Sequence, residues 1–348
     1  MRLNKRLAIG IPAFCFILML IFDTKTAIGG AEKGIDLCIH SVIPSLFPFI
    51  FLTGFVTSCF SGCALPFLSL LSNRLGIPIG AESLYLISIL GGYPTGAKIV
   101  YQAYSENKIT KRTAKRLLGF YNNAGPAFIF GIVSKLFTNW GTTWVLWVIH
   151  ILSSLITAMI LPGKTIENYG QADTNTQPIS LAIQSSVQTM SIVCGWVIIF
   201  RILNTYLHKY LLRFLPPATA AIVYGILELV NGCDAISNVK NEGVRFVIVS
   251  GMLAFGGVCV WLQTISVAKN LGTGMYIQGK LFHTIFSILL ATIYVLCGSS
   301  FICIGIIFVC FITFIFANNV SNREQKTVAK HQQMMYNVPI RNRQGDVQ

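Results

Sequence analysis

Two groups of glycine, proline and amide residues interrupt apolar stretches of this chain, and their types and spacing suit a binding site. One group is the segment 91–98 and the other is the segment 122–126. Helix breakers at membrane depth leave backbone groups unpaired, which is tolerated only where these groups face protein, water or a polar ligand. Asparagine amides add donors and acceptors that can bind a nucleobase edge or a sugar hydroxyl. The candidate binding residues in these segments are Gly91, Gly92, Tyr93, Pro94, Gly96, Lys98, Asn122, Asn123, Gly125 and Pro126.

The second half of the chain contains polar and glycine clusters in a similar order. Glu228 is the only acid deep inside an apolar run, and intramembrane acids are functional candidates by default. Lys98 is a candidate for binding an anion or for pairing with Glu228, although for this lysine alone we favour snorkelling of its amine to the interface. A structural alternative holds for the whole set, because asparagines can cap helices and glycines can allow close helix packing. The candidates in this half are Glu228, Asn231, Gly256, Gly257 and Gln263.

The elements that must position these residues are membrane helices. Hydrophobic residues make up 54% of the chain and charged residues 11%, whereas soluble domains have about 25% charged residues. A β-barrel would instead show alternating segments of about ten residues. The chain is therefore predicted to be an all-α, polytopic helical membrane protein that contacts the lipid bilayer. Its apolar runs are 7–22, 37–57, 84–97, 117–138, 143–162, 181–200, 214–230, 244–268, 281–297 and 300–317.

The net charge of +14 is concentrated in three short segments. They are residues 1–6, 102–118 and 319–348, and the positive-inside rule places all three in the cytoplasm. Nucleic-acid binding would need a folded basic surface or a recognised module, and neither is visible. The charge pattern therefore predicts a multi-pass membrane protein with both termini cytoplasmic and no nucleic-acid partner.

The same charges predict that some apolar runs do not cross the membrane. With 1–6 and 102–118 both inside, either 37–57 or 84–97 must be re-entrant. The weakly charged loop 163–180 suits the outside. Two apolar runs connect it to the inside segment 102–118, so one of the two must be re-entrant, and the run interrupted at 122–126 is the candidate. About eight crossings result. The later runs are all predicted to cross, with these basic residues inside: His208, Lys209, Arg213, Lys269 and Lys280.

The interruptions divide the chain into two repeats that are either inverted or parallel. We predict a membrane helix and loop at 1–35, one repeat at 36–165, a second at 166–318, and a disordered tail at 319–348. The N-terminal helix has a signal peptide as its alternative, but no small-residue cleavage site follows it. His283 and Lys280 are predicted to mark a cytoplasmic helix end.

Enzymatic chemistry is not predicted. The ten cysteines and five histidines form no ligand set with metal-site spacing, and buried apolar cysteines are the default interpretation. The chain also lacks a phosphate-binding loop and a nucleophile elbow. We therefore expect no metal, no cofactor and no catalytic residue.

Several motifs carry a family resemblance. They are Gly91-Gly92-Tyr93-Pro94-x-Gly96-Ala97-Lys98, then Arg116-Leu117-Leu118-x-Phe120-x-Asn122-Asn123-x-Gly125-Pro126, and later Ile226-Leu227-Glu228-Leu229-x-Asn231-Gly232. This pattern resembles the YlbJ-type sporulation integral membrane proteins. The resemblance covers roughly residues 35–300. It implies a nucleoside-recognition, or Gate, domain, a bacterial cell or spore membrane as the location, and a role in endospore formation at the cortex stage. It supplies no substrate.

Three functions stay open from the sequence. The first is a transporter or channel-like component with a polar midplane site for a small solute, nucleoside-like or a cell-wall precursor. The second is a non-transporting scaffold for cortex assembly, whose contact surfaces would be the basic segment 102–118 and the tail. The third is a nucleoside permease unrelated to spores. A homo-oligomer or sporulation membrane proteins are the expected protein partners.

Overall fold

Helices account for nearly all of the structure, a computed structural model that describes residues 2–60, 72, 74–164, 168–170, 178–298 and 305. The described part contains no β-strand, which confirms the predicted all-α class. The predicted tail 319–348 and nearly all of the run 300–317 lie outside the described residues. The helices are α1 (Arg2–Phe22), α2 (Thr24–Leu37), α3 (Ile43–Phe60), α4 (Glu82–Gly91), α5 (Thr95–Ser105), α6 (Lys111–Tyr121), α7 (Pro126–Gly131), α8 (Trp140–Ile160), α9 (Ile179–Tyr210), α10 (Pro217–Leu227), α11 (Leu229–Ile236), α12 (Glu242–Phe255), α13 (Gly257–Val267) and α14 (Gly274–Leu296).

Five helical segments are long and apolar enough to cross a bilayer, which supports the predicted polytopic membrane protein. They are Thr24–Thr57, Trp140–Ile160, Ile179–Tyr210, Glu242–Val267 and Gly274–Leu296. The first of them joins α2 to α3 through a π-turn at Cys38–Val42. A π-turn loosens the hydrogen-bond ladder, and this one lies directly before Pro44, where a proline would otherwise clash with the preceding turn. Run 37–57 is therefore part of a continuous helix, and it is not the re-entrant one.

The run 84–97 forms a hairpin whose two ends lie together. The N–H of Tyr169 donates to the carbonyl of Ile79 at 2.9 Å, just before α4, and the N–H of Gly170 donates to that of Lys108 at 3.0 Å, just after α5. One short segment thus contacts both ends of the α4–α5 unit. We call this end of the bundle, with residues 74–82, 105–116, 161–164 and 168–170, the first face. The α4–α5 hairpin enters from the first face and returns to it.

The same hydrogen bonds correct the predicted position of loop 163–180. Residues 168–170 contact the basic segment directly, so the two lie on the same face and not on opposite sides of the membrane. The interrupted unit α6–α7 therefore leads away from the first face, and α8 leads back to it. The break at 122–126 consequently lies within a crossing segment, whereas we predicted a re-entrant one. Charge parity failed here because loop 163–180 carries too few charges to indicate a side.

A second hairpin, α10–α11, enters from the opposite end of the bundle. A Cβ added to Gly232 would come within 2.4 Å of the Cα of Gly225, so the two helices pack closely on either side of Glu228. Near its open end, Asp234 is ion-paired with Arg201, towards the carboxyl end of α9. We call this end, with residues 23–26, 209–216 and 234–242, the second face. The run 214–230, for which we predicted a crossing, is therefore re-entrant.

The two halves of the bundle are inverted relative to each other. Each contains a long helix (α2–α3 or α9), a hairpin, an interrupted crossing (α6–α7 or α12–α13) and a plain helix (α8 or α14). The long helices α3 and α9 pack together, as do α8 and α14. Because the first hairpin opens on the first face and the second hairpin on the second, the repeat is an inverted one. The boundaries predicted for the two repeats stay predictions.

Contrary to our prediction, the later basic residues do not all share one side of the membrane. Lys209 is ion-paired with Asp23 at 2.5 Å, which puts the α1–α2 junction on the second face. Bonds from Lys209 and then Tyr210 hold the pKa of Asp23 well below its usual value. If α1 crosses the membrane, residues 1–6 and Lys209 lie on opposite sides. Lys269 follows α13 at the first face, where Gly272 lies beside Lys115, so Lys269 and Lys209 do not share a side either.

Candidate functional site

The first interruption is the tip of the α4–α5 hairpin, and it touches the second interruption. Gly92 has φ 69° and ψ −166°, a conformation that only glycine adopts readily. A Cβ on Gly92 would lie 2.7 Å from the backbone nitrogen of Gly125, and one on Gly125 would lie 2.8 Å from the Cα of Gly92. The two breaks therefore cross in direct backbone contact, which no larger side chain would permit.

The asparagines of the second interruption are held by protein groups. Asn122 Nδ2 donates to the hydroxyl of Thr264 at 2.8 Å, and Asn122 Oδ1 accepts from the N–H of Ala97 at 3.3 Å, in the first turn of α5. Asn123 Nδ2 donates to the carbonyl of Phe120 at 2.7 Å and to the hydroxyl of Ser154. Of the side-chain amide atoms of Asn122 and Asn123, only Asn123 Oδ1 is buried without a partner among the described residues. Both side chains thus tie the broken helices to their neighbours.

Glu228 forms the tip of the second hairpin and caps α11. Its carboxylate accepts from the N–H groups of Val230 at 3.0 Å and Asn231 at 2.7 Å, and the residue is only 2% exposed. A carboxylate suits this position because the first N–H groups of a helix are unpaired and carry a partial positive charge. The site therefore places one carboxyl group at a broken helix in the middle of the bundle.

The last interruption separates α12 from α13 at a glycine pair. Gly256 and Gly257 have φ values of 80° and 82°. A Cβ on Gly257 would lie 2.9 Å from the carbonyl oxygen of Gly225, in the second hairpin. The second half thus repeats the crossing of a hairpin and an interrupted helix seen between Gly92 and Gly125.

A small central cavity lies between the tips of the two hairpins. Its volume, counted as the space open to the centre of a water molecule, is about 40 Å³. It lies near the middle of the two long helices, where α9 contributes Val193 and Val197. A single water needs about 10–15 Å³ on this scale, so the cavity holds a few waters or a small ion. The predicted residues that line it are Gly92, Tyr93, Gly125, Glu228 and Gln263.

The other predicted residues do not line this cavity. Lys98 donates to Ser185 and forms no ion pair with Glu228 in the described structure, so the predicted pairing of these two charges is wrong. Asn231 faces a different pocket, near the second face. Gly96 is a packing residue, because its Cβ would lie 2.2 Å from the carbonyl oxygen of Tyr121. Gly91, Pro94, Pro126, Gly256 and Gly257 shape the backbone next to the cavity.

Lys280 is a residue of this region that sequence reasoning misplaced. It lies on α14 well inside the helix, is 2% exposed, and donates to the carbonyl of Asn122 and to the hydroxyl of Tyr93. The Tyr93 hydroxyl in turn donates to the carbonyl of Leu253 at 2.7 Å, at the end of α12. No carboxylate forms an ion pair with Lys280 within the described part of the chain. The amine instead lies at the carboxyl end of α6, where helix carbonyls carry a partial negative charge.

Two buried histidines accompany Lys280. The N–H of Ala124 donates to Nε2 of His150 at 3.0 Å, and Nε2 of His283 donates to the carbonyl of His150 at 3.0 Å. When neutral, His150 therefore carries its proton on Nδ1 and His283 carries its proton on Nε2. Both Nδ1 atoms are buried without a partner among the described residues. The spacing Lys280-x-x-His283, which places both side chains on one side of a helix, was the signal for this cluster.

The comparison with known proteins supports the resemblance found in the motifs. The chain is 25% identical over 325 residues to the sporulation integral membrane protein YlbJ of Bacillus subtilis, and the match covers 78% of each chain. This similarity confirms the predicted YlbJ-type resemblance, whereas the Gate domain stays a prediction. No family model and no solved structure matches the chain.

Proposed function

From this similarity to a sporulation integral membrane protein, we propose that the chain acts in endospore formation, at the cortex stage, as a transporter or channel-like protein. The solute path runs between the tips of the two inverted hairpins. One observation carries the proposal: Tyr93 and Glu228, at tips that enter from opposite faces, line one cavity at mid-depth. Inverted repeats with interrupted helices that meet near the midplane are the architecture of many secondary transporters.

The size of the cavity specifies what the path must do. Sites for small organic ligands occupy about 300–1,000 Å³, whereas the central cavity has about 40 Å³. A nucleoside or a cell-wall precursor therefore passes only if the hairpins move apart, and the conformation described is closed to it. Water or a small cation fits without any movement, beside the carboxylate of Glu228. Backbone contacts between glycines, as at Gly92 and Gly125, leave no side chains to interlock when the hairpins separate.

The proposed path contains two ionisable groups of opposite sign, one near each hairpin tip. Glu228 supplies the negative group that suits a cation, and Lys280 supplies a positive group near the tip of the other hairpin. Tyr93 touches Lys280 and lines the cavity, so movement of the first hairpin changes the surroundings of Lys280. Intramembrane charges of this kind mark solute or ion pathways by default.

A scaffold for cortex assembly is the rival function, and the exposed basic residues Lys111 and Arg112 are the observation that favours it. This contact surface is smaller than the sequence indicates, because Lys108 is 8% exposed and Arg116 is 1% exposed. A scaffold predicts that Arg112→Glu abolishes function while Glu228→Gln does not. A transporter predicts the reverse.

The proposal is tested by flux through purified protein in proteoliposomes, with a panel of nucleosides, metal ions and cell-wall precursors. We expect Glu228→Gln to reduce flux of the transported solute at least about tenfold, because one lost charged contact in a closed site is worth roughly 1.5–3 kcal/mol. Glu242→Gln is the matched control, since Glu242 lies at the start of α12 and, among the described residues, its carboxylate accepts a hydrogen bond only from the exposed hydroxyl of Thr138.

The same variants are then tested in cells. In Bacillus subtilis that lacks YlbJ, we expect the wild-type chain and Glu242→Gln to restore heat-resistant spores with cortex, and Glu228→Gln to fail at equal abundance. Normal sporulation and unchanged flux with Glu228→Gln would contradict the solute path. Spores that stop before or after cortex formation would contradict the cortex stage alone.

A further inference from the structure

A second pocket, separate from the central cavity, opens near the second face. It has a volume of about 240 Å³, on the same scale as the central cavity, and lies between α2, α9 and the second hairpin. We call it the second-face pocket. Its polar lining residues include Lys33, Arg201, Asn204, His208, Asn231 and Asp234. The pocket is large enough for a phosphate group and its neighbouring hydroxyls, which the central cavity is not.

Close packing of α2 on α9 builds one wall of the second-face pocket. A Cβ on Gly30 would lie 2.9 Å from the Cα of Ile202, and one on Gly34 would lie 3.0 Å from that of Ile198. Glycines four residues apart let two membrane helices approach this closely. Lys33, between them in the sequence, is thereby held beside Arg201 at the rim of the pocket.

The charges of the second-face pocket favour an anion. Arg201 and Lys33 contribute two positive charges against the one negative charge of Asp234. Asp234 is engaged by Arg201, whose two terminal nitrogens both lie 3.2 Å from one carboxylate oxygen. Lys33 has no ion-pair partner among the described residues. A guanidinium and an ammonium side by side are the groups that proteins use to bind phosphate.

Buried amide groups in the second-face pocket lack partners. Asn204 is 3% exposed, and neither its Nδ2 nor its Oδ1 has a hydrogen bond to any described residue. Asn231 is 2% exposed, its Oδ1 accepts from Arg201 at 2.5 Å, and its Nδ2 is likewise without a partner there. A buried polar group without a partner is costly to the fold, so these amides require either a ligand or ordered water. Together they offer donors to phosphate oxygens and an acceptor to a hydroxyl.

We propose that the second-face pocket binds a phosphate ester, held by Arg201 and Lys33 through its phosphate and by Asn204 through a neighbouring hydroxyl. The headgroup of an anionic phospholipid and a soluble phosphate ester share this chemistry. The pocket lies at the membrane face, so a lipid headgroup reaches it from the bilayer and a soluble ester reaches it from water.

The test measures thermal unfolding of the full chain in phosphatidylcholine nanodiscs. Phosphatidylglycerol in the disc provides one arm, and glycerol phosphate added to the buffer provides the other. We expect at least one of the two to raise the melting temperature of the wild-type protein. A response to the lipid alone identifies a headgroup site, and a response to glycerol phosphate identifies a site for soluble esters.

Two variants separate this pocket from general surface charge. Lys33→Gln should weaken binding of the responding ligand by about 1.5- to fivefold, the range expected for an exposed charge such as Lys33. Lys240→Gln is the matched control, because Lys240 is exposed near the same face and does not line the pocket. Arg201 is not the first choice, since it also holds Asn231 and Asp234 in place.

The variant Asn204→Leu tests whether the unpaired amide of Asn204 binds a ligand or only ordered water. It replaces both unpaired amide atoms by methyl groups on the same branched skeleton, and the open pocket has room for them, so the ligand-free protein should be at least as stable as wild type. If the pocket binds a phosphate ester, this variant should lose most of the ligand-induced rise in melting temperature. The proposal is overturned if neither ligand stabilises the wild type, or if Asn204→Leu and Lys33→Gln respond as fully as Lys240→Gln.

Discussion

Arg116 shows how a single charged side chain can organise one end of this membrane protein. It lies near the middle of α6, and its guanidinium donates to the carbonyls of Leu75 at 2.6 Å, Gly76 at 3.0 Å and Ala158. These acceptors come from the segment before the first hairpin and from the end of α8. A guanidinium can do this because its five N–H groups point in fixed directions and it keeps its charge. Arg116 therefore joins three separate parts of the first face.

We predict that Arg116→Ala lowers the free energy of unfolding by about 3 kcal/mol or more, because several buried carbonyls lose a charged donor at once. Arg116→Lys should recover only part of this loss, since an ammonium cannot reproduce the planar fork. Arg112→Ala is the control, one turn earlier on the same helix and exposed. The measurement is the melting temperature and the monodisperse fraction after extraction. Equal behaviour of the Arg116 and Arg112 alanine variants would contradict the role given to Arg116.

The residue types of the candidate site were predictable from sequence, but their roles were only partly so. Glycines and asparagines at the interruptions follow from the cost of unpaired backbone in a membrane. Whether an asparagine binds a solute or a neighbouring helix depends on what lies opposite, as Thr264 does for Asn122. The burial of Lys280 was missed because a lysine before an apolar run usually lies at the membrane surface.

At the scale of elements, close helix contacts decide which side chains reach the centre. A Cβ on Gly279 would lie 2.1 Å from the carbonyl oxygen of Gly119, so α14 approaches α6 with backbone against backbone. Lys280 is the next residue, and this approach brings its amine to the carbonyl of Asn122, at the end of α6. The position of the buried amine therefore depends on a glycine one residue away.

Gly279→Ala should push α14 away from α6 and separate Lys280 from Asn122. Overpacking of this kind costs about 1–3 kcal/mol, and flux through the proposed path should fall with it. Gly274→Ala is the matched control on the same helix, because no atom lies within 4 Å of its added Cβ. Melting temperature and flux are measured for both. If Gly279→Ala leaves both unchanged, the close packing of α14 on α6 is not what positions Lys280.

The order of the elements was predictable, whereas the path of each through the membrane was not. Each of the four interruptions falls within a segment predicted to be broken, because glycine, proline and asparagine disfavour helix interiors. We used the loop charges to predict whether each interrupted segment forms a hairpin or crosses the membrane, and these charges were misleading. Arg116 was counted as a loop charge although it is buried, and the loop at 163–180 shows its side only through backbone bonds to Ile79 and Lys108.

At the scale of the whole molecule, the inverted repeat explains why two unlike sequences meet at one cavity. The first hairpin brings Gly92 and Tyr93 from the first face, and the second brings Glu228 from the other. Inversion makes the two faces related by the approximate symmetry of the fold, so a movement that opens one hairpin has a counterpart for the other. The sequences at the two tips differ. The second hairpin carries Glu228 at its tip, whereas Tyr93 at the tip of the first contacts the buried Lys280.

This arrangement predicts which exposed residues share a side of the membrane. Lys111 and Lys269 lie on the first face and Asn238 on the second, and all three are exposed. Single cysteines at these positions should therefore react with a membrane-impermeant maleimide from one side for Lys111→Cys and Lys269→Cys, and from the other for Asn238→Cys. The wild-type chain, with its native cysteines, sets the background. The experiment distinguishes the structure from the loop charges. The positive-inside rule, applied to the loops alone, puts Lys269 on the same side as Lys209, which lies on the second face with Asn238. Labelling of all three variants from one side would contradict the inverted repeat, and with it a path that is lined from both faces.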